Sequence, residues 1–366
     1  MFFLPPFVSA TSPIAPAGEQ FAPRLIAWQK RHGRHDLPWQ QTRDAYRIWL
    51  SEIMLQQTQV STVIPYYARF LVEFPTLADL ARAPLERVLE LWAGLGYYAR
   101  ARNLHACAVA VLRDHGGQFP RDPAHIAELP GIGRSTAAAI AAFAYGVRGA
   151  ILDGNVKRVL TRCFGVTGFP GAPKVEKGLW QLAESLLPHG PGEIEIYTQG
   201  IMDLGASLCS RTRPTCAICP MAEICVARRD GRQEELPEGK PAKAVPERCS
   251  TALVLHDGQR VLLERRPPSG IWGGLLALPE LAGDDTPAAL AARLGLVLAE
   301  EQALGLVRHT FTHFRLLLTP VLCRVAADSC LRQAGLEWVA WSEVGQAALP
   351  APIKKLLESL AQTTAV

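Results

Sequence analysis

The hydrophobic repeat of this chain changes period once, and that change divides it. From Gln20 to about Arg229, apolar residues recur three and four apart, as in Trp49, Ile53 and Leu55, or Leu85, Val88, Leu89 and Trp92. That spacing lines one face of a helix. Beyond Arg248 the apolar runs are β-branched or leucine-rich: STALVLHDGQRVLLERR, FRLLLTPVLCRV and EWVAW. These read as strands, the first pair joined by a hairpin at Asp257-Gly258. Two helical patterns, TPAALAARLG and IKKLLESL, lie among them. The stretch between, Arg232–Arg248, is charged, rich in proline and without apolar period, the composition of a linker. At 366 residues the chain is long enough for two domains. The expected division is a flexible arm over 1–19, an all-α domain over 20–231, a linker over 232–248 and a mixed α/β (α+β) domain over 249–366.

The first residues, MFFLPPFVSATSPIAPAG, lack a basic start and are broken by prolines, unlike a secretory signal. The longest apolar candidate, Ala137–Val147, is too short to span a bilayer. A net charge of +4 permits an anionic partner without demanding one. Nine cysteines, an odd number, argue against a disulfide framework and for a reducing, cytoplasmic setting.

Four of those cysteines crowd into Cys209-x6-Cys216-x2-Cys219-x5-Cys225. Four thiolates on one short loop can hold Zn²⁺ or an iron–sulfur cluster. Zinc sites more often carry two Cys-x2-Cys pairs, and only one is present. Arg211, Arg213, Arg228 and Arg229 flank the loop, as phosphate contacts or as a solvated face.

A second constellation is LPGIGRST at Leu129–Thr136. Gly131 and Gly133 allow positive φ and close backbone approach, so N–H groups at the next helix start can form an anion nest. Further on, ILDGNVKRV puts Asp153 at the mouth of another helix, where it is first a candidate N-cap with Asn155 as rival. Upstream, Glu52 in WLSEIMLQQ is the sole ionisable side chain between Ile48 and Thr58. A buried helix would raise its pKa and keep it protonated; an amphipathic one would leave it a surface glutamate.

Together, LPGIGRSTAAAI, ILDGNVKRV and the cysteine loop resemble the helix–hairpin–helix DNA glycosylase superfamily. WLSEIMLQQTQV, LWAGLGYYARARNL, MDLGA and RPPSGIWGG make the chain similar to the MutY-type adenine glycosylases, from Phe21 through the second domain. The resemblance implies a helical glycosylase domain with a 4Fe–4S cluster on Cys209, Cys216, Cys219 and Cys225. It implies a monomer acting on double-stranded DNA with A:8-oxoguanine or A:G mispairs. Glu52 would protonate the adenine and Asp153 stabilise the developing sugar cation, with Asn155 in support. Leu37, Trp39, Val60, Gln199 and Asp203 map to the adenine pocket, and Gln57, Tyr97, Gly131, Gly133 and Lys157 to DNA contacts. Bifunctional relatives carry a lysine where Ser135 stands, and a hydroxyl cannot form an imine. Base removal without strand cleavage is therefore expected; an endonuclease III-like glycosylase/AP lyase for oxidised pyrimidines is the alternative.

The second domain resembles the Nudix fold, whose active members carry Gly-x5-Glu-x7-Arg-Glu-x-x-Glu-Glu-x-Gly. Gly274, Glu280 and Gly295 fit, but Ala288, Ala289, Ala292 and Arg293 replace the core. Without those oxygen ligands catalytic Mg²⁺ has no site. The resemblance makes the domain a reader of 8-oxoguanine through Phe311, Thr312 and His313, with threonine where serine is usual.

Overall fold

The computed structural model describes residues 14–240, 246–267, 270–311, 314–326 and 335–364. Among these the helices are α1 (Ile14–His32), α2 (Ala45–Leu55), α3 (Val60–Glu73), α4 (Leu77–Arg82), α5 (Leu85–Trp92), α6 (Ala99–Asp114), α7 (Pro123–Ala127), α8 (Arg134–Tyr145), α9 (Gly154–Phe164), α10 (Pro173–Ser185), α11 (Glu193–Ala206), α12 (Val226–Arg229), α13 (Pro287–Leu294) and α14 (Ala351–Thr364). The strands are β1 (Glu247–His256), β2 (Arg260–Arg265), β3 (Leu276–Ala277), β4 (Leu298–Ala303), β5 (Val307–Thr310), β6 (Arg315–Val325) and β7 (Leu336–Ala340). Helix α1 begins at Ile14, inside the stretch expected to be an arm. Pro16 falls in its first turn, where no backbone donor is needed.

The chain divides into two compact units. One joins residues 1–57 to 107–242, the other 58–106 to 243–366. The helical stretch α3–α5 thus belongs with the sheet, a grouping that a linear reading of period does not reveal.

In the first unit, Phe21 and Leu25 of α1, Ala139 and Ala142 of α8, Val156 and Leu160 of α9, and Leu204 of α11 share one core. The alanine run of α8 is buried from Ala137 to Ala142, so small side chains let neighbouring helices come close. The start of the expected linker packs here as well. Leu236 is buried, its carbonyl accepts from Arg162 Nε at 2.8 Å, and Glu238 Oε1 accepts from the Gly168 amide at 2.8 Å. One apolar anchor and two hydrogen bonds suffice to hold what composition alone marks as linker. Its last two residues, Glu247 and Arg248, already belong to β1.

In the second unit the path β3-β2-β1-β6-β4 forms a sheet, with β5 on β6 and β7 on β2. β1 and β6 run parallel from Glu247↔Arg315 to His256↔Arg324; the other pairings are antiparallel. Both faces are covered. Ala252, Val254, Val261 and Leu263 pack with Ile353 and Leu357 of α14. Leu253, Leu255 and Leu262 pack with Leu290 and Leu294 of α13. This alternation is the two-residue period of a strand, and burial on both faces explains why Ala252–His256 reads as one apolar run. β4 (LAEEQA) is almost wholly exposed, so it carries no such period and escapes a pattern search.

Candidate active site

Glu52 lies in α2, whose start is capped by Asp44 accepting from the Tyr46 amide at 2.9 Å. Tyr46, Ile48, Trp49, Leu50, Ile53 and Met54 are all buried, so most of α2 is packed, with Arg47 exposed and Glu52 partly so. Burial first, and the charge of Asp153 second, push the Glu52 carboxyl up to about 8. Glu52 itself stays partly exposed, on a helix whose other faces are mostly buried, which favours the acid reading over that of a freely solvated surface glutamate. Asp153 is exposed and is the N-cap of α9, its Oδ1 accepting from the Val156 amide at 2.8 Å. The cap and the carboxylate near Glu52 are one residue, so the two readings of Asp153 do not compete.

The turn before α8 carries Gly131 at φ 74° and Gly133 as an N-cap that gives no side-chain bond. A Cβ on Gly133 would meet nothing within 4 Å, so packing within the chain does not require glycine there. Ser135 Oγ accepts from the Leu152 amide at 2.9 Å, one residue before Asp153. Asn155 Oδ1 accepts from Arg158, which also donates to the carbonyls of Gly205 at 2.7 Å and Cys209 at 2.8 Å. Lys157 is ion-paired with Glu176 at 2.7 Å.

Arg162, 3% exposed, donates to the carbonyls of Leu236, Ser210 and Arg211 at 2.7–3.0 Å and lies 3.5 Å from Cys209 Sγ. The Cys219 thiol is raised to about 11, chiefly by burial, and also by Cys209, Cys225 and Cys216. Four thiols on one loop, coupled through their charges and backed by arginine, have the donor chemistry of an iron–sulfur site. Among the described residues no three His, Cys, Asp or Glu side chains close on a single metal ion.

Of the residues that the resemblance assigns to an adenine pocket, Leu37 and Trp39 are buried around a short 3₁₀ turn, and Val60 opens α3 in the other unit. Gln199 Nε2 donates to Asp203 Oδ1 at 2.9 Å. Asp203, 2% exposed, also accepts from the Arg34 amide at 2.9 Å and from Arg34 Nε at 2.7 Å. It anchors the 34–40 segment. Nothing in the sequence marks Arg34, Arg158 or Arg162. Each looks like an ordinary charge until its distant partners are seen. Gln57 (φ 58°) and Tyr97 (φ 51°) are exposed in the left-handed region, which non-glycine residues seldom adopt.

In the sheet domain, Glu280 is occupied by Arg266 at 3.1 Å and Ser250 at 2.9 Å. Arg293 pairs with Asp285. Phe311 stacks on Phe314 with centroids 4.6 Å apart; Thr312 and His313 lie outside the described residues.

Residues 50–185 match the HhH-GPD superfamily of base excision DNA repair proteins, and residues 250–359 match the NUDIX domain. A solved thermostable thymine-DNA glycosylase is similar at TM-score 0.53 and 30% identity, over 60% of this chain and 100% of its own. Fold and match together define a base-excision DNA glycosylase with a Nudix-like domain. The chain is 35% identical over 342 residues to the adenine DNA glycosylase of Buchnera aphidicola subsp. Acyrthosiphon pisum (strain APS), covering 93% of this chain and 97% of that one. With the Homo sapiens adenine DNA glycosylase it shares 34% over 402 residues, covering 92% and 73%. The chain belongs to the adenine DNA glycosylase family. No helix among the described residues is long and apolar enough to cross a membrane.

Proposed function

We propose that the chain acts as a monomer on duplex DNA, removes adenine opposite 8-oxoguanine or guanine, and leaves the strand uncut. The observation that supports the acid chemistry is the carboxyl pair: Glu52 on the packed helix α2, held protonated by burial and by the charge of Asp153, the N-cap of α9. Glu52 is protonated at neutral pH and gives its proton to N7 of the extruded adenine, weakening the glycosidic bond. Asp153, held by the Val156 amide, faces the positive charge that develops on the sugar. Asn155 is oriented by Arg158 and supports that loop. Leu37, Trp39 and Gln199 contact the adenine from the first unit, where Asp203 holds Arg34 and the segment after it. Gln57 fills the vacated stack, Tyr97 enters the opposite strand, and the Gly131–Gly133 turn offers amides to a phosphate.

No amine is free in the hairpin for a Schiff base. Ser135 is a hydroxyl, already accepting from Leu152, and Lys157 is paired with Glu176. Cys209, Cys216, Cys219 and Cys225 would hold a 4Fe–4S cluster, which when bound cross-links the basic loop. The Nudix-like domain reads 8-oxoguanine through Phe311, Thr312 and His313 and performs no hydrolysis.

The test is incubation with duplexes holding A:8-oxoguanine, A:G and A:T, with and without alkali. Cleavage of the adenine strand only after alkali, fastest opposite 8-oxoguanine and absent opposite thymine, is expected. Cleavage without alkali, or equal rates opposite 8-oxoguanine and guanine, would contradict the proposal. Ser135→Ala tests the hydroxyl separately. It strands the Leu152 amide and loosens the approach to Asp153, so single-turnover release is expected to slow about tenfold, the worth of one hydrogen bond. An unchanged rate would remove Ser135 from the mechanism.

A further inference from the structure

The turn that carries Tyr97 is held with unusual completeness. Gly94 and Gly96 have φ of 98° and 71°, and a Cβ on Gly94 would come 2.2 Å from Tyr66 Oη. That hydroxyl donates to the Ala93 carbonyl at 2.7 Å, and Trp92 Nε1 donates to the Gly96 carbonyl at 3.1 Å. Arg100, 9% exposed, donates to Leu95 at 3.1 Å and Gly96 at 3.2 Å. Its guanidinium also lies 5.6 Å from the Tyr97 ring centroid.

Two neighbours of this turn reach into the sheet domain. Tyr98 Oη donates to the Leu349 carbonyl at 3.1 Å, and Arg102 Nη1 donates to the Gly273 carbonyl at 2.6 Å. Gly273 follows Trp272, a third non-glycine residue at positive φ, 55°. The Trp272 ring packs on Phe311 and His309, with centroids 5.8 and 6.2 Å away. A continuous path therefore runs from the Tyr97 turn through Arg102 and Gly273 to Trp272 and Phe311. All of it lies in one compact unit, whereas Glu52 and Asp153 belong to the other.

We infer that Arg102 and Tyr98 are positioning residues for recognition of the base opposite adenine. They lock the Tyr97 turn to the Phe311 segment, so that the two elements facing the opposite strand act as one body. Neither residue touches the reacting atoms. The inference rests on the proposed reading of 8-oxoguanine and adds the means by which that reading is coupled to Tyr97. A charged donor on a backbone carbonyl is among the stronger hydrogen bonds, and its loss should loosen the path at its middle.

The experiment compares single-turnover adenine release and duplex affinity on A:8-oxoguanine and A:G for wild type, Arg102→Ala, Arg102→Lys and Tyr98→Phe. Arg102→Ala is expected to lower the preference for 8-oxoguanine about tenfold, chiefly through weaker affinity for that duplex, with A:G release within about twofold of wild type. Arg102→Lys should recover part of the preference. Tyr98→Phe, which keeps the ring, should lower it by about two- to threefold. Equal slowing on both duplexes, or an unchanged preference in both Arg102→Ala and Tyr98→Phe, would overturn the inference. A wild-type protein with no preference would instead overturn the 8-oxoguanine reading, and this inference with it.

Discussion

Glu52→Gln is expected to slow adenine release by about 10²–10⁴-fold, the range that a positioned general acid supplies. Glutamine keeps the shape and a hydrogen-bond donor but has no proton to give. Single-turnover release on an adenine mispair measures the loss, and a drop below about tenfold would mean that another group protonates the base. Stability should move in the opposite sense. Glu52 ionises near its ordinary 4.5 in the unfolded chain but is held protonated to about 8 in the fold. Its contribution is therefore fully present below 4.5 and is lost as pH rises through 8. Glutamine escapes that loss, so the melting temperature of Glu52→Gln relative to wild type should climb between pH 5 and 9, by the same linkage.

Arg162→Leu is the second large effect, and it falls on the fold. The Arg162 guanidinium satisfies three carbonyls, those of Leu236, Ser210 and Arg211, from within the protein. Leucine leaves those acceptors stranded, and breaking a buried network of this kind costs about 3–5 kcal/mol. For a unit of this size the melting temperature should fall by roughly 10 °C. The cysteine loop and the 232–238 segment lose their common anchor together. With the proposed 4Fe–4S cluster on that loop, iron content per chain after purification should fall with it, read by a colorimetric chelator. A variant with wild-type melting and full iron would show that Arg162 is dispensable to the loop.

Much of the site is legible in the sequence because its chemistry is local. Glu52 is the sole ionisable side chain of its stretch and the cysteines crowd one loop, whereas the glycines of LPGIG gain meaning only with ILDGNVKRV downstream, since many helix–turn–helix connections contain glycine. Asp153 shows a limit of such reasoning. Capping and chemistry read as alternatives in the sequence, yet one carboxylate accepts from the Val156 amide and also raises the Glu52 pKa. The arginines were not legible. Arg34 meets Asp203 across 169 residues, and Arg162 meets Leu236 across 74. Nothing near either in sequence marks it as other than a solvated charge. The left-handed turn at Gln57 has no glycine to announce it. The grouping of 58–106 with the sheet is a tertiary fact, made by bonds such as Arg102 to Gly273 that no period encodes.

If protonated Glu52 is the acid that releases adenine, the pH dependence of single-turnover release reports its ionisation. The rate constant is measured from pH 6 to 10 on one mispaired duplex, for wild type and Glu52→Gln. The expected wild-type rate is level at neutral pH and falls about tenfold per pH unit above about 8, as one essential proton is lost, with that limb absent from the variant. A wild-type rate that stays level or rises through pH 8, or a Glu52→Gln variant that keeps the same descending limb, would contradict it.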